Sequence, residues 1–145
     1  MIGQKSILKI LACACILISL NANADSHNVF GTFYTKDNGS KIKIIDCGDG
    51  SPCGKIIWLN PETFEDGLEA QDLKSKKGET ILGLEIVTGF TRKKNDWRDG
   101  TIYDPGKDKT YAARIKKLDN GTLEVKGCIS FLCITQIWTE ENNGS

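Results

Sequence analysis

The residues here with chemistry to offer are cysteines, one histidine and a scatter of carboxylates. The chain holds six cysteines and a single histidine. Cys13 and Cys15 sit in the apolar N-terminal stretch, which leaves Cys47, Cys53, Cys128 and Cys133. An even count behind a secretory-type leader implies disulfides. Four cysteines allow three connectivities. The expected one is Cys47–Cys53 with Cys128–Cys133, because each pair brackets a turn-like segment and a turn brings Cα atoms within disulfide reach. Each short loop contributes about 2 kcal/mol by the chain-entropy argument. The rival reading is a four-thiolate zinc site. Its paired ligands usually stand two to four residues apart, and an exported context disfavours free thiolates. No metal is therefore expected. There is no C-x-x-C, so thiol redox catalysis has no motif either.

His27 lies close to the start of the expected mature chain, where termini are usually mobile, and reads as a solvated tail residue. No Ser-His-Asp or Cys-His arrangement can be assembled with it. Asp99 and Asp104 form a conceivable carboxylate pair. Asp104 precedes Pro105-Gly106, however, and an Asp there is more often a turn former. Asp46, Gly48 and Asp49 hint at calcium, but the spacing lacks the rest of an EF-hand loop, and turn chemistry explains them better. No catalytic residue and no cofactor is expected, and the chain reads as a non-enzyme.

Binding chemistry is better represented. Trp58, Tyr103, Tyr111 and Trp138 fall in strand-like runs and are candidates to line an interior cavity. The plainer reading is that they fill a core. Gln136 shares a face with Ile134 and Trp138, so it is the polar candidate for that lining. Arg114 shares its face with Lys116 and is expected to point outward.

Those side chains need strands to carry them. Residues 29–35, 41–44, 54–59, 81–90, 97–103, 109–118, 122–128 and 133–139 read as eight β-strands. Turn signals separate them, including Asp37-Asn38-Gly39, Asp104-Pro105-Gly106 and Asp119-Asn120-Gly121. Ile45 interrupts the alternation of its strand and suggests a bulge. Residues 81–90 form the most regular alternation in the chain. Residues 60–79 are different: long, polar, and readable as one short lid-like helix or a loop. Asn60 would cap it, Pro61 would stand at its first position, and Phe64 and Leu68 would share a face. Short turns force antiparallel neighbours. Closing eight such strands into a barrel removes the exposed edges. A barrel of this size holds either side chains or one small ligand. A two-sheet sandwich is the structural alternative.

The N-terminus bounds the location. Lys5 and Lys9 precede an apolar run over residues 10–20, shorter than the ~20 residues a spanning helix needs. Ala22-Asn23-Ala24 then fits a signal peptidase site. Residues 1–24 are expected to be a cleaved signal peptide, and residues 25–145 a single barrel domain. A lipobox at Leu11-Ala12-Cys13 is disfavoured because apolar residues continue beyond it. Lys and Arg equal Asp and Glu at 19 each. The charges are interspersed, with no basic stripe of the kind phosphate backbones demand, so nucleic acid is not an expected partner.

Five stretches, in order, carry a family resemblance. They are Gly31-Thr32-Phe33, IDCGDGSPCGKIIWL from Ile45, LGLEIVTGF from Leu82, GTIYDPGKDKTYAA from Gly100 and LEVKGCISFLCITQIWT from Leu123. The chain resembles the bacterial exported family known as domain of unknown function 2147. The resemblance implies a lipocalin-like, calycin-type barrel and a periplasmic or envelope location. It implies no activity. Two departures stand out. Asp72-Leu73-Lys74 is followed by Ser75-Lys76 where the family has Asn-Pro. Trp138-Thr139 is followed by Glu140 where the family has Arg. Lipocalins use such an Arg to cover a first-strand Trp. Here Phe33 holds the first-strand position, so no cation–π closure can form between these two places.

Two functions compete. One is a binding module that holds a small apolar or amphipathic ligand in the barrel, with 60–79 across the mouth. The other is a structural or protein-interaction factor of the envelope with a filled core.

Overall fold

The computed structural model describes residues 25–142. The expected signal peptide and its cleavage site lie outside the described residues. Among the described residues there are nine strands: β1 (Gly31–Tyr34), β2 (Ser40–Asp46), β3 (Pro52–Leu59), β4 (Glu85–Thr88), β5 (Thr91–Arg92), β6 (Trp97–Asp104), β7 (Lys109–Lys117), β8 (Leu123–Ile129) and β9 (Leu132–Glu140). Every pairing is antiparallel. The sheet runs β4-β3-β2-β1-β9-β8-β7-β6, and β4 pairs with β6 to close it. The result is an eight-stranded barrel with the two-residue β5 as an extra edge on β6. Closure satisfies the backbone groups that an open sheet would leave at its edges.

The turns use the expected chemistry. Asp46 Oδ1 accepts from the backbone N–H of Gly48 and Gly50, at 2.6 and 2.8 Å. Asp104 Oδ1 accepts from those of Gly106 and Lys107, at 3.0 and 3.1 Å. Asn120 Oδ1 accepts from Thr122. These short side chains hold the chain reversal by bonding their own backbone two to four residues on. Both disulfides have the expected partners. Cys47–Cys53 spans the β2–β3 turn and Cys128–Cys133 spans the β8–β9 turn, with Cα separations of 5.2 and 4.0 Å.

Three expectations about the elements are corrected. The strand over 81–90 is only β4, Glu85–Thr88. Gly83 and Gly89 take φ of 87° and 77°, and these left-handed turns end the strand on both sides. Ile45 is not a bulge. It pairs in register with Cys53 and simply faces solvent. The register shift lies instead between Lys41 and Ile42. Finally, of the two readings of 60–79 the loop holds and the single helix does not. The loop has two separate 3-10 turns, Pro61–Thr63 and Ala70–Asp72. Asn60 does cap the first, accepting from Glu62 N at 3.1 Å. Gly67, at φ 87°, ends any continuation, so Phe64 and Leu68 never share a helical face.

One end of the barrel is packed shut. Val29, Phe33, Ile44, Val87, Phe90, Trp97, Ala113, Ile115 and Leu123 are buried there. The segment before β1 crosses this end, so His27 is not a solvated tail residue. It is buried, with Nε2 donating to Lys93 O at 2.7 Å and its ring edge-on to Trp97 at 6.0 Å. Trp97 Nε1 donates to the His27 carbonyl at 2.9 Å. The cation that the last strand lacks comes from β7. Lys117 Nζ lies 4.7 Å from the centre of the Phe33 ring and forms an ion pair with Glu140, which pairs across from Phe33. The closure absent between the first and last strands is thus built from three strands.

Candidate ligand cavity

The other end of the barrel is hollow. A cavity of about 380 Å³ opens there, within the volume range of small-molecule pockets. Its mouth is ringed by the β1–β2 turn (Thr35, Gly39, Ser40), by Leu59 and Ile81 at the ends of the long loop, and by the β6–β7 turn from Asp104 to Lys107. Strand alternation decides what lines it. On β8 and β9 the residues Val125, Gly127, Ile134, Gln136 and Trp138 face inward. On β2, β3 and β4 the inward residues are Ile42, Ile56 and Ile86. Tyr111 enters from β7 and Ile102, its register partner, from β6, while Tyr103 borders the space at the rim. Gly127 lets the Tyr111 ring approach, because a Cβ there would stand 3.2 Å from Tyr111 Cβ.

Of the five lining candidates, four are brought together. Tyr103, Tyr111, Gln136 and Trp138 all border the cavity. Trp58 is placed elsewhere. It pairs with Lys41, and the register shift beside Lys41 turns it to the outside of the barrel. There it meets Tyr34 edge-on at 6.2 Å, and Lys41 Nζ lies 5.2 Å from its ring centre. The Lys41 ammonium is pushed above its ordinary value, first by its contact with Glu141 and then by Tyr34.

Polar groups are few inside. Trp138 Nε1 donates to Gln136 Oε1 at 2.9 Å. An indole N–H can only donate, so the amide oxygen must face it and the amide nitrogen is turned elsewhere. Gln136 therefore offers donors in an otherwise apolar wall. The mouth is more polar. Tyr103 donates its hydroxyl proton to Asp108 Oδ1 at 3.0 Å, and Lys77 pairs with the same carboxylate at 3.3 Å. The Lys77 ammonium also lies 4.9 Å from the Tyr103 ring centre. Lys76 N donates to Pro105 O at 3.3 Å. Together these contacts latch the 60–79 loop to the β6–β7 turn. The Asp108 carboxyl is held below its ordinary range by the Tyr103 hydroxyl first and then by Lys77. Burial, then the neighbouring Asp108, pushes the Tyr103 phenol up. This arrangement suits a guest with an apolar body and a polar end at the mouth.

Other candidates do not converge. Asp99 falls in the register shift between Trp97 and Gly100 and Asp104 stands at the far end of β6, and Asp99 pairs with Lys93 at 3.0 Å. Arg114 faces outward as expected, on the outer wall with Lys126 and Arg98. Among the described residues, no group of three or more His, Cys, Asp or Glu side chains is arranged to hold a metal ion. No helix among them is long and apolar enough to cross a membrane.

A closed eight-stranded antiparallel barrel, packed at one end and hollow at the other, defines a lipocalin-like class of protein. Protein HP1028 from the human pathogen Helicobacter pylori, described as belonging to the lipocalin family, is similar in fold. The similarity has a TM-score of 0.62 at 17% sequence identity, over 78% of this chain and 82% of that one. Residues 31–140 match the family described as "Uncharacterized protein conserved in bacteria (DUF2147)", and the chain belongs to that family. No curated protein matches the sequence.

Proposed function

We propose that the protein is an exported binding protein of the bacterial envelope or periplasm. Its barrel would hold one small apolar or amphipathic molecule, and residues 1–24 would be its cleaved signal peptide. The observation that carries the reading is the cavity of about 380 Å³ with an apolar wall and a polar mouth. Burial of an apolar chain is favourable by about 25 cal/mol per Å² of surface removed from water. The Gln136 amide and the lysines of the mouth would orient a polar headgroup. Two disulfides suit an oxidising compartment. A structural or interaction factor with a filled core is the rival reading, and a hollow barrel end weighs against it. Catalysis has no part in the proposal.

A fluorescent apolar probe, 1-N-phenylnaphthylamine, tests this. Its emission should rise on saturable binding of one probe per protein, and palmitic acid should displace it. Ile102→Trp, which replaces an aliphatic side chain of the cavity wall with a bulky indole, should abolish the rise. No enhancement, or equal enhancement in Ile102→Trp, would overturn the reading.

A further inference from the structure

The β8–β9 hairpin carries its apolar face beyond the barrel. Val125 pairs with Gln136 and Gly127 with Ile134, and all four line the cavity. The next pair on the same face, two residues nearer the tip, is Ile129 with Leu132. Leu132 is 68% exposed, Ile134 62% and Ile129 41%, while Phe131 at the tip is 87% exposed. Elsewhere exposed apolar side chains such as Ile45 and Leu68 are scattered, which is ordinary for a protein surface. Here four are grouped on one hairpin, at the same end of the barrel as the cavity mouth.

The tip also spends its turn on the wrong residues for stability alone. A two-residue hairpin favours Asn-Gly or Gly first, yet Ser130 takes φ 55° and Phe131 follows it. The Cys128–Cys133 disulfide fixes the strands just below. A rigid, apolar, protruding loop loses little conformational entropy when it meets a partner.

We propose that this hairpin is a membrane-docking tongue, inserting Phe131 and Leu132 into a phospholipid bilayer so that the cavity mouth faces the lipid. Its geometry is independent of any ligand, but its purpose, exchange of an apolar guest with the bilayer, rests on the binding function proposed above. A bilayer fits the surface better than a second protein. A stable protein interface takes about 800 Å² from each partner, and a narrow tip of four side chains falls well short of that. A bilayer accepts such a wedge, and Phe and Leu are side chains that enter its interfacial zone. The rim does not oppose the approach. Asp104 pairs with Lys107 at 3.6 Å and Asp108 with Lys77 at 3.3 Å. Lys109 stands beside the hairpin on the neighbouring β7 and is exposed, and exposed Lys36 and Asp37 lie on its other side.

Co-sedimentation with vesicles of phosphatidylcholine and phosphatidylglycerol, three to one, tests the proposal. The purified protein should pellet with the vesicles. Phe131→Ser combined with Leu132→Ser should lower the partition coefficient at least tenfold while keeping the near-ultraviolet dichroism and probe binding of the parent. Ile102→Trp should lose the probe and keep the vesicles, which separates failure of the cavity from failure of the tongue. Should the double variant not fold, Phe131→Trp replaces it, with blue-shifted emission quenched by brominated lipid as the expected result. Absence of vesicle binding, equal binding by the folded double variant, or no quenching of Phe131→Trp would overturn the proposal. Self-association through the tip without vesicle binding, seen by sedimentation velocity, would do the same.

Discussion

At Gly100 the barrel wall comes so close to Phe90 that a Cβ would stand 2.4 Å from its ring. Ring and glycine together seal the side of the packed end. Gly100→Ala should cost about 1–3 kcal/mol, the usual range for overpacking a core, read as a lower urea midpoint. Single residues also mark where the sequence stops being readable. Trp58 looks like a lining residue because it belongs to a strand, and one register shift beside Lys41 sends it outward. A bulge of that kind leaves no trace in the alternation of GKIIWL. His27 looks like tail because it is near the start of the expected mature chain, and its burial depends on Lys93 and Trp97, both distant in sequence. Tyr111 and Gln136 were legible as interior candidates, since their own alternation survives into the fold. Lys117 was not, because its partners Phe33 and Glu140 belong to other strands.

Elements were read more securely than residues. Asp-Pro-Gly and Asp-Asn-Gly turns are local chemistry, and both cysteine pairs close over a turn, so they needed no tertiary knowledge. The two glycine-terminated ends of β4 and the split of 60–79 into two 3-10 turns depend on contacts that sequence periodicity does not report. The Cys128–Cys133 bridge holds the hairpin that walls the cavity. Replacing both cysteines by serine should lower unfolding stability by about 2 kcal/mol, measured by denaturant titration under oxidising conditions. The latch on the 60–79 loop has its own pH dependence. Asp108 is held below 3.8, so its contribution is complete above that value and is lost as pH falls through the lower folded one. Tyr103 and Lys77 are raised above 10.0 and 10.5. Their contributions are complete below those values and are lost as pH rises through the higher folded ones. The latch should therefore hold through the neutral range and release at both extremes. NMR titration should place the Asp108 midpoint below 3.8 and the Tyr103 midpoint above 10.0. Lys77→Met should move the Asp108 midpoint upward, and an unmoved midpoint would remove Lys77 from the latch.

The whole molecule divides its labour along the barrel axis. At the closed end, Phe33, Trp97, Ile115 and Leu123 are packed solid, with His27 and Lys117 sealing the base. At the open end the same strands surround an apolar space instead of filling it. Both arrangements that the sequence offers occur along the axis: one end is packed, and the other surrounds a cavity. Strand count and turn spacing can announce a barrel but carry no information on how far side chains reach across it. That reach is set by which of Ile42, Ile56, Val125 and Trp138 meet at the floor.

Native mass spectrometry of the protein, purified from an envelope fraction without added detergent, would show whether the barrel holds a ligand. The cavity should retain a stoichiometric adduct of a few hundred daltons, the size of guest such pockets accept, and Ile102→Trp should be recovered without it. The same spectrum should show a chain beginning at Asp25 and two intact disulfides. A bare, fully oxidised mass for the parent protein, unchanged on addition of palmitic acid, would contradict a ligand-holding barrel.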